Sequence, residues 1–205
     1  TQSISGERKN KENDLWLTGG LKITPLKDWT INVDYTYNMY ILSKKQHGKE
    51  ILEHTANPDI VTVFPHTTPS RVKFTTDDNY YQTFNAYTDY TKSLGKHNIK
   101  LLLGYNYETK SYRWFNAERE NLISNDLPGL GQAYGEKYNG SGQHSWATMG
   151  YFARINYNYA ERYLLELNGR YDGSSKFPKK SRFGFFPSFS VGWNVAREAF
   201  MESTA

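Results

Sequence analysis

Over residues 163–172, YLLELNGRYD, apolar side chains fall on alternate positions: Tyr163, Leu165, Leu167 and Tyr171 are separated by Glu166, Asn168, Arg170 and Asp172. Successive side chains of an extended strand point to opposite sides, so the pattern predicts a strand with one apolar and one polar face. Seven segments carry it, at about 15–24, 29–41, 79–92, 97–111, 145–159, 162–172 and 183–196. In the second, Ile31, Val33, Tyr35, Tyr37 and Met39 oppose Asn32, Asp34, Thr36 and Asn38. In the fourth, Ile99, Leu101, Leu103, Tyr105 and Tyr107 oppose Lys100, Gly104, Asn106 and Glu108. No stretch has a competing helical period, and the predicted class is all-β.

Two architectures satisfy this pattern. In a sandwich the apolar face is a buried core, and in a membrane barrel it faces lipid. The connections separate them. PLKD, SLGK and the turn at Ala160 and Glu161 suit tight hairpins, whereas 42–78, 112–144 and the shorter 173–182 are read as long loops. Short and long connections alternate, so an antiparallel order gathers the short turns at one end, as in outer-membrane barrels with short periplasmic turns and longer outer loops. Trp29, Tyr90, Tyr157, Tyr159, Tyr163 and Trp193 lie near the short-turn ends, and Tyr105, Tyr107, Tyr151, Tyr171 and Phe185 toward the other. Amphipathic rings suit the two boundaries between hydrocarbon and headgroups.

Composition sharpens the choice. Across 205 residues the hydrophobic fraction is 38% and the mean hydropathy −0.76, yet 16% are aromatic, with 17 tyrosines. That suits a polar lumen and aromatic girdles better than an aliphatic core. No apolar run approaches the roughly 20 residues of a membrane helix, so a membrane role must use strands. The 25 basic and 21 acidic residues are interspersed, and no basic block forms a nucleic-acid patch. With no cysteine, disulfides are excluded. Single-chain bacterial barrels close with an even strand number. Seven strands, a polar opening at TQSISGERKN and an ending at EAFMESTA therefore predict a segment of a longer polypeptide.

Candidate chemistry is sparse. His47, His54, His66, His97 and His144 lack zinc-site spacing and are read as loop and turn residues. The adjacent Asp77 and Asp78 would diverge on an extended backbone and are read as solvated loop residues, not a paired acid and base. Gly129, Gly131 and Gly135 miss both phosphate-loop spacings and are read as a flexible loop. The chain is expected to be no enzyme and to hold no cofactor or metal. The binding candidates are Tyr112, Trp114 and Phe115, placed at the start of the loop after the fourth strand, where rings near a barrel mouth suit stacking on sugars or peptides. Arg170 and Asp172, on the polar face at the end of the sixth strand, are positioned to touch substrate or to pair with neighbouring charges.

The stretch YLLELNGRYDGSSKFPKKSRFGFFPSFSVGWNVAREAFM closely resembles the signature of SusC/RagA-type TonB-dependent outer-membrane transporters of Bacteroides-like bacteria. The resemblance lies in Arg170 to Ser175, Phe186 to Ser188, Ser190, Gly192, Trp193, Glu198, Phe200 and Met201. It extends upstream through LWLTGGLKITPLKDWTINVDYTYN, DNYYQTFNAYTDYTKSLGKHNIKLLLGYNYE and LISNDLPGL; Asn194 stands where the family commonly has a basic residue. The resemblance implies that residues 1–205 are about seven strands of a 22-stranded barrel whose plug domain and remaining strands lie outside this chain. It also implies import energised through TonB, a SusD-like surface lipoprotein as partner, and oligosaccharide or peptide substrates. The alternatives are a soluble or surface-attached β-rich carbohydrate-binding module and a passive porin.

Overall fold

The computed structural model describes residues 6–54, 56, 59 and 61–201. Its strands are β1 (Gly6–Leu26), β2 (Trp29–Gly48), β3 (Leu52–His54), β4 (Val61–Val63), β5 (Arg71–Leu94), β6 (His97–Glu120), β7 (Lys137–Tyr159), β8 (Tyr163–Ser174) and β9 (Phe183–Trp193). Seven form one antiparallel sheet in the order β1-β2-β5-β6-β7-β8-β9, while β3 and β4 make a separate hairpin. Each long strand thus pairs with its neighbours in the chain, the all-β segment expected from the alternation.

The strands are longer than the alternation indicates. β2 runs on to Gly48, β5 starts at Arg71, β6 reaches Glu120 and β7 starts at Lys137. The intervals 42–78 and 112–144, expected as loops, are therefore strand at both ends, over about half of their length. Asp77 and Asp78 lie within β5, and His47, His97 and His144 lie in β2, β6 and β7. The extensions, such as SKKQHG and RVKFTTDD, carry polar residues on both sides. Period-two hydropathy appears only where the two faces meet different media; backbone pairing needs no such contrast.

The short turns are built as expected. Ala160 and Glu161 both adopt positive φ (52° and 57°), the conformation of a type I′ hairpin, and Asn158 Oδ1 accepts the Glu161 amide at 2.8 Å. Gly95 supplies the positive φ in the β5–β6 turn.

Two compact units divide the chain: Thr1–Leu15, Asn38–Tyr80 and Ser111–His144 in the first, Trp16–Tyr37, Tyr81–Lys110 and Ser145–Ala205 in the second. In the second, the odd-numbered face of β7, β8 and β9 is apolar, whereas the even-numbered face mixes polar groups with Phe152, Leu164 and Phe186. Tyr151 pairs with Tyr171, Ile155 with Leu167 and Tyr159 with Tyr163 across β7 and β8. Tyr171 pairs onward with Phe185, Leu167 with Phe189 and Tyr163 with Trp193 across β8 and β9. A row of rings crosses the strands on this face: Phe84 to Tyr105 at 6.2 Å, Tyr105 to Tyr151 at 5.0 Å, and Tyr171 stacked on Phe183 at 5.2 Å. A second row runs from His97 through Tyr159 to Tyr163, with His97 sharing a 2.7 Å hydrogen bond with the Tyr157 hydroxyl. Eight residues at about 3.3 Å each separate Tyr163 from Tyr171, so the rows lie roughly 26 Å apart along β8, about 19–22 Å of height at the 35–45° tilt of a barrel strand. On the opposite face Arg154 Nε donates to Asn168 Oδ1 (2.6 Å), whose amide donates to Glu166 (2.8 Å), and Arg170 holds Asp172 at 2.9 Å.

No layer packs on the apolar face. Among the described residues the buried apolar side chains are Val72 and Ala133, while Leu167 is 42% exposed, Val191 75% and Phe189 77%. A soluble module needs the odd-numbered face of YLLELNGRYD as its core, and among the described residues nothing covers that face. Lipid is the medium that suits an apolar band between aromatic rows.

Beyond β9, Glu198 ties the turn together: the Trp193 indole N–H donates to it at 3.0 Å and Arg162 pairs with it at 3.3 Å. Trp193, the Tyr163 hydroxyl and the Arg162 cation hold its carboxyl below the usual carboxylate range against the opposing effect of burial. A depressed carboxylate contributes stability above its unfolded pKa and loses it as pH falls through its folded pKa. Two outcomes follow for the full-length protein. Thermal stabilities of wild type and Glu198→Gln should differ at neutral pH and converge below pH 4; a constant gap would disprove the link. Leu167→Arg, midway between the aromatic rows, should cost about 2–4 kcal/mol and deplete heat-modifiable protein from the membrane, whereas Ser190→Arg, opposite Glu166, should assemble normally.

Candidate functional site

The binding candidates sort by strand parity. Tyr112, Trp114 and Phe115 do not begin a loop: they lie within β6, so the first two share one face and Phe115 takes the other. Arg170 and Asp172 sit on β8 in the second unit and satisfy each other. Arg170 also lies over the Phe152 ring at 5.4 Å.

In the first unit, Tyr112 donates its hydroxyl to Asp77 at 2.9 Å, and Lys44 pairs with the other oxygen of that carboxylate at 3.2 Å. The Tyr112 ring meets His144 of β7 at 5.0 Å. Two residues further on, the Trp114 indole lies across the β7 backbone at Gly140 and Gly142. A methyl group on Gly142 would come 2.5 Å from the indole nitrogen, and one on Gly140 3.3 Å from the six-membered ring. Only glycines let the indole approach this closely. Trp114 as a whole is partly buried. Asn116 flanks it, and Lys73 pairs with Glu118 at 3.1 Å. The result is an aromatic platform bordered by internally neutralised charges.

The other face of the same strands differs. Arg113 reaches Asp78 at 3.5 Å and lies over the Tyr80 ring at 5.4 Å, and Phe115 is 53% exposed. Asp77 and Asp78 do diverge, but each is held by its own partner and neither is a solvated loop residue. The segment containing Gly129, Gly131 and Gly135 is likewise pinned: Arg119 donates to the carbonyls of Leu130 (3.1 Å) and Gly135 (3.4 Å).

Lys44, Asp77, Asn116, Gly140, Gly142 and His144 were not foreseen as part of this platform. The available signal was parity: Tyr112, Trp114 and Asn116 alternate on one strand, and Gly140, Gly142 and His144 alternate on the next.

Residues 2–200 match the family model described as TonB dependent receptor-like, beta-barrel. TonB-dependent receptor SusC of Bacteroides thetaiotaomicron is 28% identical over 189 residues, 85% of this chain and 18% of that protein. TonB-dependent receptor P3 of Formosa agariphila is 32% identical over 120 residues, 58% of this chain and 12% of that protein. The structure of the RagAB peptide transporter superposes with a TM-score of 0.82 at 18% identity, over 97% of this chain and 21% of the other. The chain thus spans less than a quarter of the length of these relatives, which are receptors and transporters and not enzymes. Paired aromatic rows, strand order and family match agree: the chain belongs to the β-barrel family of TonB-dependent receptors, proteins of the cell outer membrane, and is similar to SusC and, in fold, to the RagAB transporter.

Proposed function

We propose that these strands form part of the wall and lumen lining of an active importer of oligosaccharides or peptides. The plug, the remaining strands and the TonB-contacting segment would lie elsewhere in the polypeptide, and a SusD-like surface lipoprotein would deliver substrate. The observation that carries the proposal is the sheet with one lipid-type face and one polar face, joined to the family match across residues 2–200. The likeness in fold to a peptide transporter supports the peptide class, and the oligosaccharide class rests on the resemblance carried by the sequence motifs.

Within this reading Trp114 and Tyr112 are substrate-contact residues on the lumen side, because they share one face of β6 with Asn116 and Glu118 and lie beside the Lys44–Asp77 and Lys73–Glu118 pairs. A flat indole backed by glycine backbone offers its free face to a sugar ring or an aromatic peptide side chain. Arg170 and Asp172 are a further contact pair on the polar face of β8. Phe115, on the opposite face of β6, lies off this platform.

A passive pore would share the wall but would need no energy. In cells carrying the full-length protein, collapsing the proton-motive force should abolish uptake of labelled oligosaccharides or peptides. Uptake that persists undiminished would favour the porin reading. Trp114→Ala should weaken uptake at limiting substrate about threefold to tenfold, the value of a lost ring contact, while Phe115→Ala and outer-membrane protein levels stay unchanged. Equal effects of the two substitutions would remove Trp114 from the substrate path.

A further inference from the structure

Beyond the Trp114 platform, on the same face of the first unit, lies a cavity of about 680 Å³ lined by Arg8 of β1, Gln46 and Gly48 of β2, Arg71 and Lys73 of β5 and Glu118 of β6. Strand parity joins the two. Glu118 continues the alternation of Tyr112, Trp114 and Asn116 along β6, and Lys73, which pairs with it, shares a face of β5 with Asp77, the partner of Tyr112. Trp114 and Glu118 are four residues apart, about 13 Å of strand.

The acids around this cavity are committed. Glu118 holds Lys73 and Glu7 holds Lys9, both at 3.1 Å, and Asp77 holds Lys44 at 3.2 Å. Glu50, beside β2, accepts the Ser70 amide at 3.1 Å. The two arginines are not: among the described residues no carboxylate pairs with Arg8 or Arg71. Arg8 is steadied by a neutral partner, since in the amide orientation that satisfies both groups the Gln46 side-chain oxygen accepts from its Nη2 at 2.8 Å and its Nε at 2.9 Å. Arg71 lies across Gly48, where a methyl group would come 3.3 Å from its Cγ, so the glycine leaves room for the arginine stem. Both arginines are exposed.

Positioned guanidinium groups without counter-charges suit oxyanions, because the planar fork donates two parallel N–H bonds to a carboxylate or a sulfate. The form of the ligand follows from the strands that carry the site. β5 and β6 lie inside the sheet, between β2 and β7, so their backbone groups are spent on neighbouring strands and offer an extended peptide no edge to pair with. Recognition there falls to side chains: a flat indole for the apolar face of a sugar ring, and planar cations for its charged substituents.

We propose that the cavity at Arg8 and Arg71 binds the carboxylate or sulfate groups of an acidic oligosaccharide whose sugar rings pass over Trp114. The inference rests on the importer reading and narrows its substrate to anionic glycans.

The test uses the purified full-length protein in mild detergent, with binding read by isothermal titration calorimetry. The charged probes are oligogalacturonate, alginate oligomers and chondroitin sulfate oligomers; the controls are methyl-esterified oligogalacturonate, maltoheptaose and hexaglutamate. Wild type should bind at least one charged oligosaccharide more tightly than any control. Arg8→Gln and Arg71→Gln should each weaken that binding about tenfold, the value of a lost charge-assisted pair, and the loss should shrink as salt rises. Lys100→Gln, which removes a cation elsewhere on β6, should bind as wild type does, and heat-modifiable migration should show all three variants assembled. Failure to bind any charged oligosaccharide, equal affinity for the esterified and charged forms, tighter binding of hexaglutamate, or equal effects of Lys100→Gln and Arg71→Gln would overturn the proposal. Energised uptake of neutral sugars or peptides alongside such a result leaves the importer reading standing, whereas cells that hold assembled protein and take up none of the probes would count against that reading itself.

Discussion

A β-strand in lipid has to satisfy every backbone N–H and C=O by pairing with another strand, because the surrounding hydrocarbon offers no partner. The rest of the structure depends on that constraint. It forces each long strand beside its chain neighbour, makes tight turns economical, and leaves the two sides of every strand to meet different media. Among the described residues the buried apolar side chains are Val72 and Ala133 alone, while Phe189 and Val191 stand bare on the face that lipid would cover. Stability moves from interior packing to pairing, to ring ladders such as Tyr105 on Tyr151, and to polar chains such as Arg154–Asn168–Glu166 on the lumen side.

The same constraint explains what could be read from the residues. Where a strand crosses between two media, the contrast is printed as alternation, and the bounds of β8 and β9 are legible to within three residues. Where both sides are wet, as in the far parts of β2, β5, β6 and β7, pairing persists without contrast. Those parts, including Tyr112 to Phe115, looked like loops for that reason. Turns followed local chemistry and were visible: Gly95 and the Ala160–Glu161 pair occupy the positions that tight hairpins require.

The platform at Trp114 was half legible. The aromatic residues stood out, but the glycines that let the indole lie flat are informative only once β6 and β7 are known to be neighbours. Asp77 illustrates the same limit: beside Asp78 it looks like a solvated charge, and only the pairing of β2, β5 and β6 shows it holding Lys44 and Tyr112 together. The charges around Arg8 and Arg71 divide similarly. Acids committed to lysines beside arginines that are not are a property of the folded sheet, invisible in a chain where acids and bases are evenly mixed.

The central claim is that the odd-numbered face of YLLELNGRYD meets lipid and the even-numbered face meets water. Single spin labels placed in turn at residues 163–172 of the full-length protein, reconstituted in bilayers, test it directly. Accessibility to oxygen should peak at Leu165, Leu167, Gly169 and Tyr171, and accessibility to a water-soluble nickel chelate at Glu166, Asn168 and Arg170, with a period of two residues. Loss of that alternation, or odd-numbered labels shielded from both reagents, would place this face inside a protein core and contradict the account.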